Sequence, residues 1–335
     1  MRHHTSLPRF LMTGLLLLAA TSWAACGDDD SGESSNNGGL LTGDTTGGDT
    51  SGDTRTGGTT DGTTGATSNA TTSNATTGGE PDRVGPEYSG GACPALVDGV
   101  NSGFESGGLS RSFILDLPPE PNGAPVIFLW HWLGGSAAEI HNGLNFDDLS
   151  DSEGVIVVAP ESQGSQFEWR FTQGPEGNPD LALFDDLLAC LWDQYDADLD
   201  RIYATGMSAG GLWSSYLTLH RSQWLATTAP MSGGADTTSY QTPEVDIPVL
   251  MIWGGEGDVF QGGLVDFDET SKYMSTRLRE DGHFVAHCVH DRGHLPPFNA
   301  APLVWSWFEA HSADQTEEPF KDGLPATFPD ICALP

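Results

Sequence analysis

A serine, a carboxylate and a histidine, in that chain order, stand in loops where they could pass a proton between them. The serine is Ser208, within Gly206-Met207-Ser208-Ala209-Gly210-Gly211. A β-type stretch, 201–204, precedes it and a helix-competent run, Leu212 to His220, follows. Gly-x-Ser-x-Gly between strand and helix makes a sharp turn that lifts a hydroxyl above a sheet edge, beside the N-terminus of a helix. The flanking glycines serve because such a turn leaves no room for a β-carbon. A glycine-rich turn that merely carries a serine would match the same five residues, so the partners decide its weight.

A serine hydroxyl is a weak nucleophile until a base takes its proton and a carboxylate orients that base. Ten histidines occur, but His294 is the one in a glycine- and proline-punctuated loop, 291–297, after an apolar strand near the C-terminus. Asp258 follows the apolar run 248–253; Glu256 qualifies too, and Asp266 and Asp268 lie further on. Placement directly after a buried strand favours Asp258, although any carboxylate in so acidic a chain is more often a solvated surface group. After the apolar run 125–130 comes His131-Trp132-Leu133-Gly134-Gly135-Ser136. This loop is positioned to give a backbone N–H to a developing oxyanion, from Leu133 or alternatively Trp132, with Ala209 giving the other. Trp132 and Trp169 stand in loops and are expected to meet substrate, whereas Trp130 and Trp213 read as core. Residues 162–180 are expected to wall the cleft. Asp196, Asp198 and Asp200 have calcium-loop spacing but lack that motif's glycine and distal glutamate, so no metal and no cofactor is expected.

The elements that must hold these loops alternate. Arg111–Leu117 reads as an antiparallel edge strand. Near-continuous apolar runs at 125–130, 154–159, 225–230, 248–253 and 283–289 read as buried parallel strands. Helical spacing marks 181–195, and helices are also expected at 268–280 and 301–311. Alternating strands and helices imply an α/β fold, a mostly parallel central sheet with helices on both faces, and chemistry at the carboxyl ends of the strands.

Several stretches together resemble the α/β-hydrolases of the secreted feruloyl esterase and polyhydroxybutyrate depolymerase group. They are 107–118, 128–135, Val157–Pro160 with Trp169 downstream, Phe184-Asp185-Asp186, 206–211, and Gly293-His294 with Pro296. The resemblance covers most of 91–310 and implies Ser208 as nucleophile, His294 as base and Asp258 as acid. It departs in two places. Many relatives have His-Gly where this chain has His131-Trp132, and Trp253 replaces a histidine that usually opens the acid loop, with Asp258 one residue late. The implied reaction is hydrolysis of a carboxylic ester: feruloyl or cinnamoyl esters of plant polysaccharide, or hydroxyalkanoate polyesters. A serine peptidase with the same triad and a non-catalytic surface binding protein are the alternatives.

The chain has 335 residues, 47 acidic against 13 basic, for a formal charge of −34. With Lys272 and Lys321 its only lysines, it offers no basic face for a phosphate backbone, so nucleic acid is excluded as a partner. Residues 1–26 read as an export signal with a short apolar segment. Lipidation at Cys26 is expected, with ordinary cleavage after Ala24 as the alternative. Residues 27–90, rich in Gly, Thr, Ser and Asp, read as a disordered tether, and 91–335 as the catalytic domain, secreted or held at the cell surface as a monomer. That leaves Cys93, Cys190, Cys288 and Cys332 in an oxidising compartment, where two disulfides are plausible. A staple between Cys93 and Cys332, near the two ends of the domain, is preferred over other pairings, with Cys190 a candidate buried thiol.

Overall fold

A computed structural model describes residues 83–335; the signal, Cys26 and the tether up to residue 82 lie outside the described residues. The strands are β1 (Gly99–Ser106), β2 (Leu109–Asp116), β3 (Val126–Trp130), β4 (Ile156–Pro160), β5 (Ile202–Met207), β6 (Thr227–Met231), β7 (Val249–Trp253), β8 (Val259–Phe260), β9 (Val265–Asp266), β10 (Val285–Val289) and β11 (Cys332–Ala333). The helices are α1 (Ala137–Gly143), α2 (Asp147–Glu153), α3 (Pro179–Tyr195), α4 (Ala209–His220), α5 (Phe267–Asp281) and α6 (Ala300–Phe308).

Among the described residues, nine strands form one sheet in the order β1-β2-β4-β3-β5-β6-β7-β10-β11, and β8 and β9 form a separate hairpin. The run from β4 to β10 is parallel; β2 on β4, β1 on β2 and β11 on β10 are antiparallel. The strand expected at the edge, β2, is thus one in from it, because β1 pairs outside it. Every residue of β3 to β7 is buried, as apolar strands covered on both faces must be.

Period-two alternation splits each strand between two cores. Val126, Phe128 and Trp130 join the core covered by α3, α4 and α5; Ile127 and Leu129 join the one covered by α1, α2 and α6. Phe320 and Phe328 of the C-terminal tail complete the second core. Helix α3 starts where Asn178 caps the N–H of Asp180 and Pro179 takes the first turn, and ends at left-handed Asp196. Within the segment read as tether, Arg83 bonds the Leu199 carbonyl at 2.6 Å, and Ser89 bonds Asp186 through both its N–H and its hydroxyl.

The disulfides are Cys93–Cys190 and Cys288–Cys332, so the expected Cys93–Cys332 staple does not form. The reason is topological. Cys93 precedes β1 at one edge of the sheet, whereas Cys332 lies in β11 at the other edge, in register with Cys288 of β10. Cys190, on α3, faces the segment entering β1, where Gln194 also bonds Leu96 and Pro94. Two disulfides fit an oxidising compartment.

Candidate active site

The turn from β5 into α4 places Ser208 at φ 59°, ψ −115°, a left-handed conformation that a non-glycine residue holds only under constraint. The constraint is visible in its neighbours. A β-carbon at Gly210 would sit on the Trp130 carbonyl, and one at Gly211 on the Met231 carbonyl. The elbow is therefore pressed between the ends of β3 and β6, and the Ser208 N–H is fixed to the Met231 carbonyl at 3.0 Å. Ser208 is 8% exposed.

Asp258 follows β7 and a single 3-10 turn, Gly255–Gly257. It is fully buried. Its Oδ2 accepts the Ser232 hydroxyl at 2.7 Å and the Gly254 N–H at 2.8 Å, while its Oδ1 lies 2.7 Å from His294 Nδ1. His294 Nε2 lies 2.9 Å from Ser208 Oγ. With the carboxylate able only to accept, Nδ1 carries the proton and Nε2 is left to accept from the serine. The chain that sequence spacing put in one site, Ser208, His294 and Asp258, is thus brought together in hydrogen-bonded series. The other carboxylates go elsewhere. Glu256 is exposed, Asp266 caps α5 through the Glu269 N–H, and Asp268 takes the Trp253 indole N–H and Lys272.

The β3 loop is braced from three sides. His131 Nδ1 donates to the Trp132 carbonyl at 2.9 Å and its Nε2 accepts the Ser162 N–H at 3.2 Å. Glu168 accepts the Gly134 N–H at 3.0 Å and also binds the Ser162 hydroxyl. Within the described residues, the N–H groups of Leu133 and Ala209 donate no hydrogen bond, which leaves both free for an incoming oxygen.

Trp169 corrects an expectation. It is fully buried, packed against Trp130, Trp213 and His131, and its indole N–H holds the His131 carbonyl at 2.9 Å. It supports the loop and has no exposed surface to offer a substrate. It looked exposed because it lies outside any helix or strand, yet its ring has the apolar area to fill the space under β3. Trp132 is half-buried, its ring beside Gly135 and against the second core. Sequence reasoning also missed Ser232, Glu168 and Phe267. Ser232 had a signal, a serine between an apolar strand and Gly233-Gly234; Phe267, whose ring lies 4.6 Å from that of His294, had none.

A groove of about 850 Å³ runs along α4 from Leu212; Ser208, Asp258 and His294 are not among its lining residues. Phe171 to Pro175, from the segment expected to wall a cleft, line one side; Gly234 to Gln241 and Gly263 to Asp266 line the others, and Leu212, Tyr216 and His220 of α4 form its floor. Burial holds the His220 imidazole down to about 4, so the floor is neutral at pH 7. Among the described residues, no group of three or more His, Cys, Asp or Glu side chains is placed to hold a metal ion, and no helix is long and apolar enough to cross a membrane.

The profile of the prolyl oligopeptidase family matches residues 147–301, a window that contains Ser208, Asp258 and His294. Feruloyl esterase D of Neurospora crassa is 28% identical over 162 residues, 44% of this chain and 54% of that protein. A probable feruloyl esterase C of Aspergillus flavus is 31% identical over 152 residues, 43% of this chain and 52% of that protein. The chain therefore spans about half the length of the curated relatives it matches. The crystal structure of native sOPH superposes with a TM-score of 0.60 at 19% identity, over 72% of this chain and 95% of the other. The sheet order, the elbow between β5 and α4, and these likenesses together give the chain the α/β-hydrolase fold, with a serine, a histidine and an aspartate in hydrogen-bonded series at the carboxyl ends of its strands.

Proposed function

We propose that the protein is a serine carboxylic-ester hydrolase that works through an acyl-enzyme. The observation that carries this is the unbroken series from Asp258 through His294 to Ser208, at 2.7 and 2.9 Å. Ser208 Oγ attacks the ester carbonyl as His294 Nε2 takes its proton. Asp258, buried and held by the Ser232 hydroxyl and the Gly254 N–H, stabilises the imidazolium that results. The N–H groups of Leu133 and Ala209 hold the tetrahedral oxyanion. His294 then protonates the departing alcohol, and the same nitrogen activates water to release the acid.

The substrate class put forward is the feruloyl or cinnamoyl ester of plant polysaccharide, or the hydroxyalkanoate oligomer. Likeness to proteins named as feruloyl esterases supports it. Trp132, half-buried on the β3 loop, is the aromatic proposed to meet the acyl group. A peptidase is the second reading, favoured by the family profile over 147–301. In cellular terms the protein is exported, tethered through Cys26 by the stretch that ends before Arg83, and monomeric.

The test is a panel of methyl ferulate, p-nitrophenyl acetate, a hydroxybutyrate oligomer and a peptide p-nitroanilide, run on the parent and on Ser208→Ala. Ester turnover in the parent that falls by about 10⁴-fold or more in Ser208→Ala is expected. Turnover of the amide alone would replace the esterase reading with the peptidase one.

A further inference from the structure

The Asp258–His294–Ser208 series needs one imidazole to face two partners at once. The terminal torsion of a histidine ring is broad, so hydrogen bonds alone leave the plane soft. The His294 side chain is 22% exposed, and it follows Gly293, itself in a left-handed conformation at φ +61°. Neither feature restrains the ring. What touches its face is Phe267, whose ring lies nearly parallel to the imidazole, 12° between planes and 4.6 Å between centroids. Phe260 is further off, at 6.0 Å and tilted by 53°.

Phe267 is itself held on every side. It is 2% exposed and is the first residue of α5. Its N–H donates to the backbone carbonyl of Asp258 at 2.9 Å, so one residue grips the acid's backbone and stacks on the base's ring. The next turn of α5 is fastened to the β6 loop, where Thr270 and Ser271 both donate to the Gly233 carbonyl. Gly233 adjoins Ser232, which donates to Asp258. A closed circuit therefore runs from Asp258 through Phe267, the first turn of α5 and Gly233 to Ser232, and back to Asp258. The β8–β9 hairpin is the stretch of chain that brings Phe267 back to Asp258 to close it.

We propose that Phe267 is a positioning residue that fixes the plane of the His294 imidazole so that Nδ1 meets Asp258 while Nε2 meets Ser208. It reaches no substrate and acts only through the histidine. The inference deepens the hydrolase reading and rests on it for its kinetic consequence, but not for its structural one.

The test has two parts. The first needs no variant: NMR relaxation of the His294 ring C–H groups in the parent protein. A positioned ring gives order parameters near those of rigid backbone, about 0.85, whereas values below about 0.6 would overturn the proposal whatever the enzyme does. The second compares Phe267→Leu, which keeps apolar bulk without a flat face, with Phe267→Tyr, which keeps the face. Loss of one aromatic stack should lower kcat in Phe267→Leu about 3- to 10-fold per fluorophosphonate-titrated site, with KM unchanged within about twofold. The downfield Nδ1–H resonance of His294 should broaden in Phe267→Leu and persist in Phe267→Tyr. A folded Phe267→Leu with parental kcat per titrated site and an unchanged Nδ1–H signal would refute it, as would a rise in KM alone. Should Phe267→Leu not fold, the ring order parameters of the parent decide. If Ser208→Ala kept its turnover, the hydrolase reading would fail while those order parameters still judged the ring.

Discussion

Replacing Ser232 with alanine isolates one hydrogen bond to a buried carboxylate. Asp258 has no solvent access, and its Oδ2 has two donors, the Ser232 hydroxyl and the Gly254 N–H. Ser232 sits at φ 46°. Alanine keeps the β-carbon and therefore the same backbone cost, so the change removes only the hydroxyl. A hydrogen bond to a charged group contributes about 1.5–3 kcal/mol net, which is the expected loss of stability. Glycine at the same position loses the hydroxyl but relieves a left-handed conformation worth about 1 kcal/mol, so Ser232→Gly should fall short of Ser232→Ala by about that amount. Urea unfolding at pH 7 measures both, with the midpoint moving and the slope unchanged. The carboxylate, left with one anchor on Oδ2, should also orient His294 less well, lowering kcat by about 10-fold. A loss below about 0.5 kcal/mol with parental kcat, within the range of a neutral surface change, would refute the view that Ser232 holds the acid.

Four further outcomes follow from the same contacts. Asp258→Asn should lower kcat by about 10³–10⁴-fold, because an amide can donate to Nδ1 and favour the wrong tautomer of His294; steady-state kinetics on the best ester checks it. Trp169→Phe should lower stability by about 1 kcal/mol through the lost bond to the His131 carbonyl while leaving substrate selectivity unchanged. A changed preference across the ester panel would restore Trp169 to the substrate. Opening Cys93–Cys190 should cost more than opening Cys288–Cys332, about 4.7 against about 4.0 kcal/mol at most, since the closed loops span 97 and 44 residues. Urea unfolding of the two double-serine variants checks the order. Finally, burial holds the His220 and His287 imidazoles down to about 4 from the ordinary 6.5. Both are neutral in the folded protein and take up protons on unfolding below pH 6.5. Stability is therefore fully present above about pH 6.5, falls as the pH is lowered towards about 4, and levels off below that. His287→Gln, read by urea midpoints at pH 7 and pH 5, should flatten that slope.

The legibility of the fold followed burial on two faces. Strands β3 to β7 read directly from the chain, because strands covered on both sides are mostly apolar, and α3 reads from its spacing. Helices α1 and α2 did not, since each has only seven residues and few apolar positions to set a period. Strand β1 escaped for the opposite reason: at a sheet edge it buries only part of one face. The C-terminal tail was invisible as structure because Phe320 and Phe328 pack singly, with no periodicity around them.

The site was legible where punctuation follows a buried strand. Ser208, Asp258 and His294 each stand in a glycine-bearing loop at a strand's carboxyl end, and the structure sets them in series. Trp169 and the disulfides went the other way. An aromatic in a loop carries no sequence mark of the core it fills, and nearness to the two ends of the domain is not nearness in space when the ends lie at opposite edges of the sheet. Phe267 shows the remaining limit: a stack between residues 27 apart in sequence leaves no mark in composition or spacing.

Labelling with a fluorophosphonate, followed by intact mass and peptide mapping, tests the central claim most directly. A single adduct on the peptide carrying Ser208 is expected, absent from Ser208→Ala and at least about 10³-fold slower to form in His294→Ala. A protein that stays unlabelled, or that carries the adduct on another residue while Ser208→Ala hydrolyses esters at the parent rate, would contradict it.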